Sequence, residues 1–283
     1  MLFHMLVVTF LLQSFCIGLA VTQIDPVAFV IGNAAYPPLP SSPTREAGLP
    51  APGGTGLPVP SPELVNIPGG TFTMGSNSDP SEKPMHQVTI APFALGKYPV
   101  TNGEWRVCFN QGDCTLSPTG DDDEPVHNIS WDDTQQYVRW LGKVTDRAYR
   151  LPSEAEFEFA ARGGADGSFW SGGKLKIGVA DCAGCGEPYD AKTPQKVGTF
   201  KPNGYGLFDM AGNVEEWVAD CWHNNYVGAP TDGSAWVSPK CYVHVLRGGS
   251  WRSEVATIRL TSRDQYDGVV RYITHGFRVA LSL

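Results

Sequence analysis

The sequence predicts a loop-rich α+β fold, and three observations carry that prediction. The 32 Gly and 23 Pro among 283 residues exceed the roughly 12% of average usage, so long uninterrupted helices cannot dominate. Aromatic residues reach 11%, with eight Trp, while charged residues make up only 18%, the composition of a packed core rather than of a disordered chain. Two segments alone carry a helical period, and the rest reads as short strands and long loops. The formal charge of −8 argues against nucleic acid as a partner, because phosphate neutralisation needs a basic stripe.

Taken in chain order, residues 1–20 form an apolar run with Gly18 and Ala20 at its small-residue end. It reads as a signal peptide although no Lys or Arg stands near Met1. A membrane anchor is the rival reading, but the run is short for a span and no basic stop follows. No membrane span is therefore expected after signal removal, and the mature chain is placed as secreted, periplasmic or cell-surface. Residues 21–63 are an N-terminal segment and linker rich in Pro and Gly, without a hydrophobic period after Tyr36. Residues 64–283 are long enough for one domain.

Within that domain, Tyr137, Trp140, Leu141 and Val144 recur at spacings of three and four, which predicts a helix over 132–144. Over 152–162, Ser153 can cap with Glu156 three residues on, Phe157, Ala160 and Ala161 face inward, and Gly163 and Gly164 end the helix. Six Cys remain after the leader and fall as close pairs: Cys108 with Cys114, Cys182 with Cys185, Cys221 with Cys241. Three local disulfides are the default in an exported chain, while six Cys permit 15 connectivities. A zinc or redox role for Cys182 and Cys185 lacks a second ligand pair and sits among Gly184, Gly186 and Pro188 in a loop. The scattered His supply no metalloprotease motif, and Arg252 interrupts any nucleophile elbow at Gly248–Trp251.

The blocks RLPSEAEFEFAARGG, NGYGLFDMAGNVEEWVAD, VLRGGSW and HGFRVAL follow GGTFTMG in a fixed order. Together they resemble the formylglycine-generating enzyme, or sulfatase-modifying factor, family over 64–283. The resemblance implies a variant of the C-type lectin fold with little regular secondary structure. It also implies copper held by two Cys just after RGGS. The matching positions here are Ser253 and either Thr257 or Ile258, and none of these supplies the soft thiolate that Cu(I) needs. Copper chemistry is therefore not expected. Calcium is the implied structural ion, with one set at Asp181 and Asp190 and a second at Asn213 and Glu216. Glu215 departs from the Trp that the family carries in NVWEW.

The last 30 residues resemble the variable proteins of diversity-generating retroelements, which randomise a ligand-binding face on a lectin-type scaffold. Tyr272, Ile273, Thr274 and His275 are each one adenine change from an Asn codon, and family members carry Asn-rich stretches there. The expected face comprises Trp251, Arg252, Ser253, Glu254, Asp264, Tyr266, Asp267, Tyr272, Thr274 and His275. Arg259, Arg263, Arg271 and Phe277 are expected to point inward. Two function classes compete on these residues. One is a non-catalytic exported module that binds a protein or cell-surface ligand. The other is a divergent oxidase similar to the periplasmic members of the family in siderophore maturation, in which Glu254 or His275 would serve as acid or base.

Overall fold

The computed structural model describes residues 61–176, 178–186, 188 and 192–283. The expected leader, and the Pro/Gly-rich segment as far as residue 60, lie outside the described residues. The strands are β1 (Leu64–Ile67), β2 (Gly70–Met74), β3 (His86–Ile90), β4 (Phe93–Gly96), β5 (Tyr149–Arg150), β6 (Glu215–Cys221), β7 (Val243–Arg247), β8 (Arg263–Asp267), β9 (His275–Phe277) and β10 (Ala280–Ser282). The helices are α1 (Asn102–Asn110), α2 (Trp131–Thr145) and α3 (Glu154–Arg162). They form two four-stranded sheets, ordered β1-β4-β10-β5 and β8-β7-β6-β9, and a β2-β3 hairpin. This is the mixed, loop-rich α+β fold that the composition predicts.

Each helix starts on a reciprocal capping box: Thr101 with Glu104, Ser130 with Asp133, and Ser153 with Glu156. Such a box satisfies two of the amide donors that a helix start leaves orphaned. Helices α2 and α3 match the predicted segments to within two residues at each end. Gly163 ends α3 at φ 55°, and a Cβ there would lie 2.8 Å from the Gly204 nitrogen, so both conformation and close approach demand glycine. Helix α1 was not expected. Its nine residues bury only Asn102, Trp105 and Cys108, too few for a readable period, and it is held by the cap and by the Cys108–Cys114 disulfide. The other bridges are Cys182–Cys185 and Cys221–Cys241, the local pairing expected from sequence.

The β8-β7-β6-β9 sheet separates two cores. Val218 and Val245 face α3 and the hairpin with Phe157, Val88 and Phe93. Trp217, Leu246 and Phe277 face α1 and α2 with Trp105, Tyr137 and Trp140. Alternation along the strands thus fills both cores at once. Tyr137 stacks on Trp105 at 5.7 Å and meets Phe277 edge-on at 5.5 Å.

Charge is buried here as well. Arg263 is forked onto Glu154 at 2.6 and 2.9 Å, and Arg247 reaches Glu158 at 2.7 Å and the Leu260 and Thr261 carbonyls. Arg278 binds both oxygens of Glu216 at 2.7 Å, and Arg259 holds Glu82. Burial alone would push Glu154 up, but Arg263 and Arg247 hold its carboxyl below the ordinary value. Arg271, expected inward, is part-exposed. It reaches along the surface to Asp133 at 2.6 and 2.8 Å, because its strand-free segment runs over the start of α2 rather than beneath it.

Replacing Arg278 with Met leaves Glu216 buried without its cation, and should cost about 3–5 kcal/mol by urea unfolding. The double variant Arg278→Met, Glu216→Gln should recover part of that loss.

Candidate functional site

Five strand or loop segments converge at one end of the β8-β7-β6-β9 sheet. Register places Glu215 of β6 beside His275 of β9, and sets Trp217, Leu246 and Asp264 in one row across the sheet. Glu215, Gly249, Ser253, Thr257, Ser262, Arg263 and Asp264 line a cavity of about 300 Å³ there. Gly249 adopts φ 65°, and a Cβ on it would lie 2.6 Å from the Ile258 side chain and 3.3 Å from Ser253 Oγ. The glycine therefore keeps this end of the cavity open.

Ser253 is fixed by a tight turn. Its amide donates to the Ser250 carbonyl, and its Oγ accepts the Ser250 amide at 2.9 Å. The Thr257 hydroxyl donates to the Glu254 carbonyl at 2.9 Å. Of the two candidates for the second copper position, Thr257 lines the cavity, whereas Ile258 is fully buried in a separate cluster with Phe169 and Cys182. Every Cys among the described residues is in a disulfide. The residues present do not fit a thiolate-held copper ion.

Beside the cavity, Tyr266, Tyr272 and His275 form an aromatic cluster. Tyr266 lies 5.8 Å from Tyr272 and 4.9 Å from His275, and Trp217 backs His275 at 5.0 Å. His275 Nε2 is 4.0 Å from Glu215 Oε2. Burial lowers the His275 pKa to about 4. Burial, with Asp264 adding to it, raises the Glu215 pKa to about 8. At neutral pH the two are therefore neutral neighbours rather than an ion pair. Burial also raises the Asp264 pKa from its ordinary value.

The expected face divides. Arg252, Glu254, Asp264, Tyr266, Asp267 and Tyr272 are exposed, while Trp251 and Ser253 are half-buried. The Arg252 guanidinium sits 5.4 Å from the Trp251 ring. Thr274 and His275 are buried, a correction to their expected place on the face. The Thr274 carbonyl accepts the Glu215 amide, and β9 joins the sheet at His275, so both side chains enter the core. Glu215, Thr257 and Ser262 were absent from the expected face. The sequence signal for Glu215 was its departure from Trp; for Ser262 it was the codon one adenine change from Asn that it shares with Tyr272 and its neighbours.

The residues expected to bind calcium also divide. The second set does not fit a cation, since Arg278 occupies both Glu216 oxygens. The Asn213 amide clamps the Gln195 backbone, accepting at 2.9 Å and donating at 3.0 Å. In the first set Asp181 is fully buried, and Asp190 lies outside the described residues.

Fold and site together define a lectin-like scaffold whose cavity has hydroxyls where copper thiolates would stand. Residues 55–283 match the sulfatase-modifying factor enzyme 1-like domain, and the chain belongs to that family. It is similar to the structure of PvdO from Pseudomonas aeruginosa, with 36% identity, TM-score 0.73, and coverage of 78% of this chain and 95% of that one. Treponema denticola variable protein 1 shares the fold at 23% identity and TM-score 0.68, covering 78% of this chain and 95% of that one. The chain is also 30% identical over 249 residues to serine/threonine-protein kinase pkn1 of Chlamydia pneumoniae, matching 78% of this chain and 38% of that relative. It thus spans well under half the length of that kinase.

Glu215 makes stability pH-dependent. The unfolded carboxyl ionises near 4.5 and the folded one near 8, so between these values unfolding releases a proton and stability falls as pH rises. The contribution is complete below 4.5 and lost through 8, and amounts to at most roughly 5 kcal/mol. Glu215→Gln should therefore shrink the drop in Tm between mildly acidic and mildly alkaline buffer, measured by calorimetry.

Proposed function

We propose that this protein is an exported, non-catalytic ligand-binding member of its family, whose binding rim is the segment that follows RGGSW. One observation carries the reading: Val269, Val270, Tyr272 and Ile273 are 69, 38, 41 and 41% exposed, next to Tyr266 and the cavity. Exposed apolar side chains grouped in this way mark an interaction surface, and Tyr with small polar neighbours provides rigid contact area at low entropic cost. Side chains here can vary because they contribute little to either core. The partner is a protein or a cell-surface ligand. Three disulfides among the described residues agree with an oxidising compartment, and no described helix is long and apolar enough to cross a membrane.

The second reading, a divergent oxidase in protein or siderophore maturation, is favoured by the buried acid Glu215 at the cavity and by the likeness to PvdO. One experiment separates the two. Tyr266, Val269, Tyr272 and Ile273 are replaced together by Ser, and wild type and variant are screened on protein and glycan arrays alongside a formylglycine assay on a Cys peptide. The expected result is unchanged melting, loss of an array signal seen for wild type, and no aldehyde from either protein. Aldehyde formation by wild type would favour the oxidase.

Calcium belongs to this proposal at the Asp181–Asp190 set alone, since Asp181 is buried and carboxylate oxygens suit a hard cation. Calcium should raise Tm over chelated protein, since a ligand that binds only the native state stabilises it. Asp181→Asn should abolish the rise, and an equal Tm in both buffers would remove calcium from the account.

A further inference from the structure

The cavity at the end of β6 and β8 holds more polar capacity than the fold uses. Glu215 and Ser262 are each only 8% exposed, and both line it. Glu215 Oε2 has His275 Nε2 at 4.0 Å, and buried Ser262 Oγ has no hydrogen-bond partner among the described residues. Asp264, on β8 and separated from β6 by β7 in the same sheet, accepts the Gln265 amide at 2.7 Å. Buried polar atoms without partners cost stability and point to a missing ligand or water. Two carboxyls and a hydroxyl converging on one space ask for a donor-rich, positively charged group.

We propose that this cavity receives a primary ammonium group, as carried by a lysine side chain or a free alkylamine, held by Glu215 and Asp264 and hydrogen-bonded by Ser262. Ammonium has three donors around one point charge, matching three acceptors set around a space. Guanidinium is a planar fork suited to one coplanar carboxylate, whereas the carboxyls here stand on separate strands. A bare metal ion is disfavoured because no group of three or more His, Cys, Asp or Glu among the described residues is placed to hold one. The volume of about 300 Å³ leaves room for several methylenes behind the charge.

The charged neighbours do not compete for the site. Arg263 lines the cavity, but its guanidinium is forked onto Glu154 and donates to the Ser81 and His223 carbonyls. His275, 4.0 Å from Glu215, is packed between aromatic rings. Gly249 is the opening that a larger residue would close.

The inference stands on the cavity and not on the exposed rim, so each can fail alone. Calorimetric titration in low-salt, mildly alkaline buffer would use n-butylammonium chloride, a peptide with one lysine, the same peptide with that lysine acetylated, and calcium chloride. Wild type should bind the amine and the lysine peptide, with the acetylated peptide at least ~10-fold weaker, as expected from loss of a charged hydrogen-bonded partner. Glu215→Gln and Asp264→Asn should each weaken amine binding at least ~10-fold while still unfolding in one cooperative transition. Tighter peptide than amine binding would identify a protein lysine as the source, and the reverse a free amine. Absence of amine binding by wild type overturns the proposal. So does binding unchanged in Glu215→Gln, or calcium binding at the same residues that excludes the amine.

Discussion

Buried arginine–carboxylate forks are the constraint on which this structure depends. Most of the chain between α3 and β10 is loop, and loops gain little from backbone ladders. Each fork ties such a loop to a regular element: Arg263 and Arg247 bring the chain around β7 and β8 onto α3 through Glu154 and Glu158. Arg278 ties β9 and the chain after it to β6 through Glu216, and to the Gly96 and Phe208 carbonyls. Taking these charges from water costs several kcal/mol per ion, so only complete pairing with well-formed hydrogen bonds is tolerable. That requirement gives the loops one acceptable arrangement, where apolar contacts alone would admit several.

The consequence for the site is a division of labour. On one side of the β8-β7-β6-β9 sheet the forks and the first core fix the backbone, and on the other the aromatic core of α1 and α2 does so. The segment 268–273 lies beyond both, with its ends pinned at the Gly268 amide to the Tyr242 carbonyl and at β9. Apart from Arg271, which is tied to Asp133, its side chains are therefore free to be selected for contact rather than for packing. The cavity beside it has exchanged thiolates for hydroxyls and carboxyls, which alters what it can hold from a soft metal to a charged donor.

Much of this was legible in the sequence where one residue pattern implies one geometry. The period of Tyr137, Trp140 and Leu141 gives α2, Ser153 and Glu156 give the start of α3, and the close Cys pairs give the disulfides. Exposure at Tyr272 and Ile273 followed from the expectation that a variable face stays out of the core. Helix α1 was not legible because it buries so few residues. Thr274 and His275 were placed on the face because they share codon character with their neighbours, yet strand register, which is non-local, turns them inward. Glu216 looked like a metal ligand until Arg278, 62 residues away, was seen to hold both its oxygens. Pairings of that separation are set by topology and leave no local trace.

Native-state hydrogen exchange tests the central claim most directly, that the forks and cores carry the fold while the rim is energetically separate. The account predicts that the amides of Trp217, Leu246 and Arg247 exchange only by global unfolding, and that those of Val269, Val270 and Ile273 exchange orders of magnitude faster through local opening. Equal protection of the two groups would contradict it, because the rim would then be part of the cooperative core.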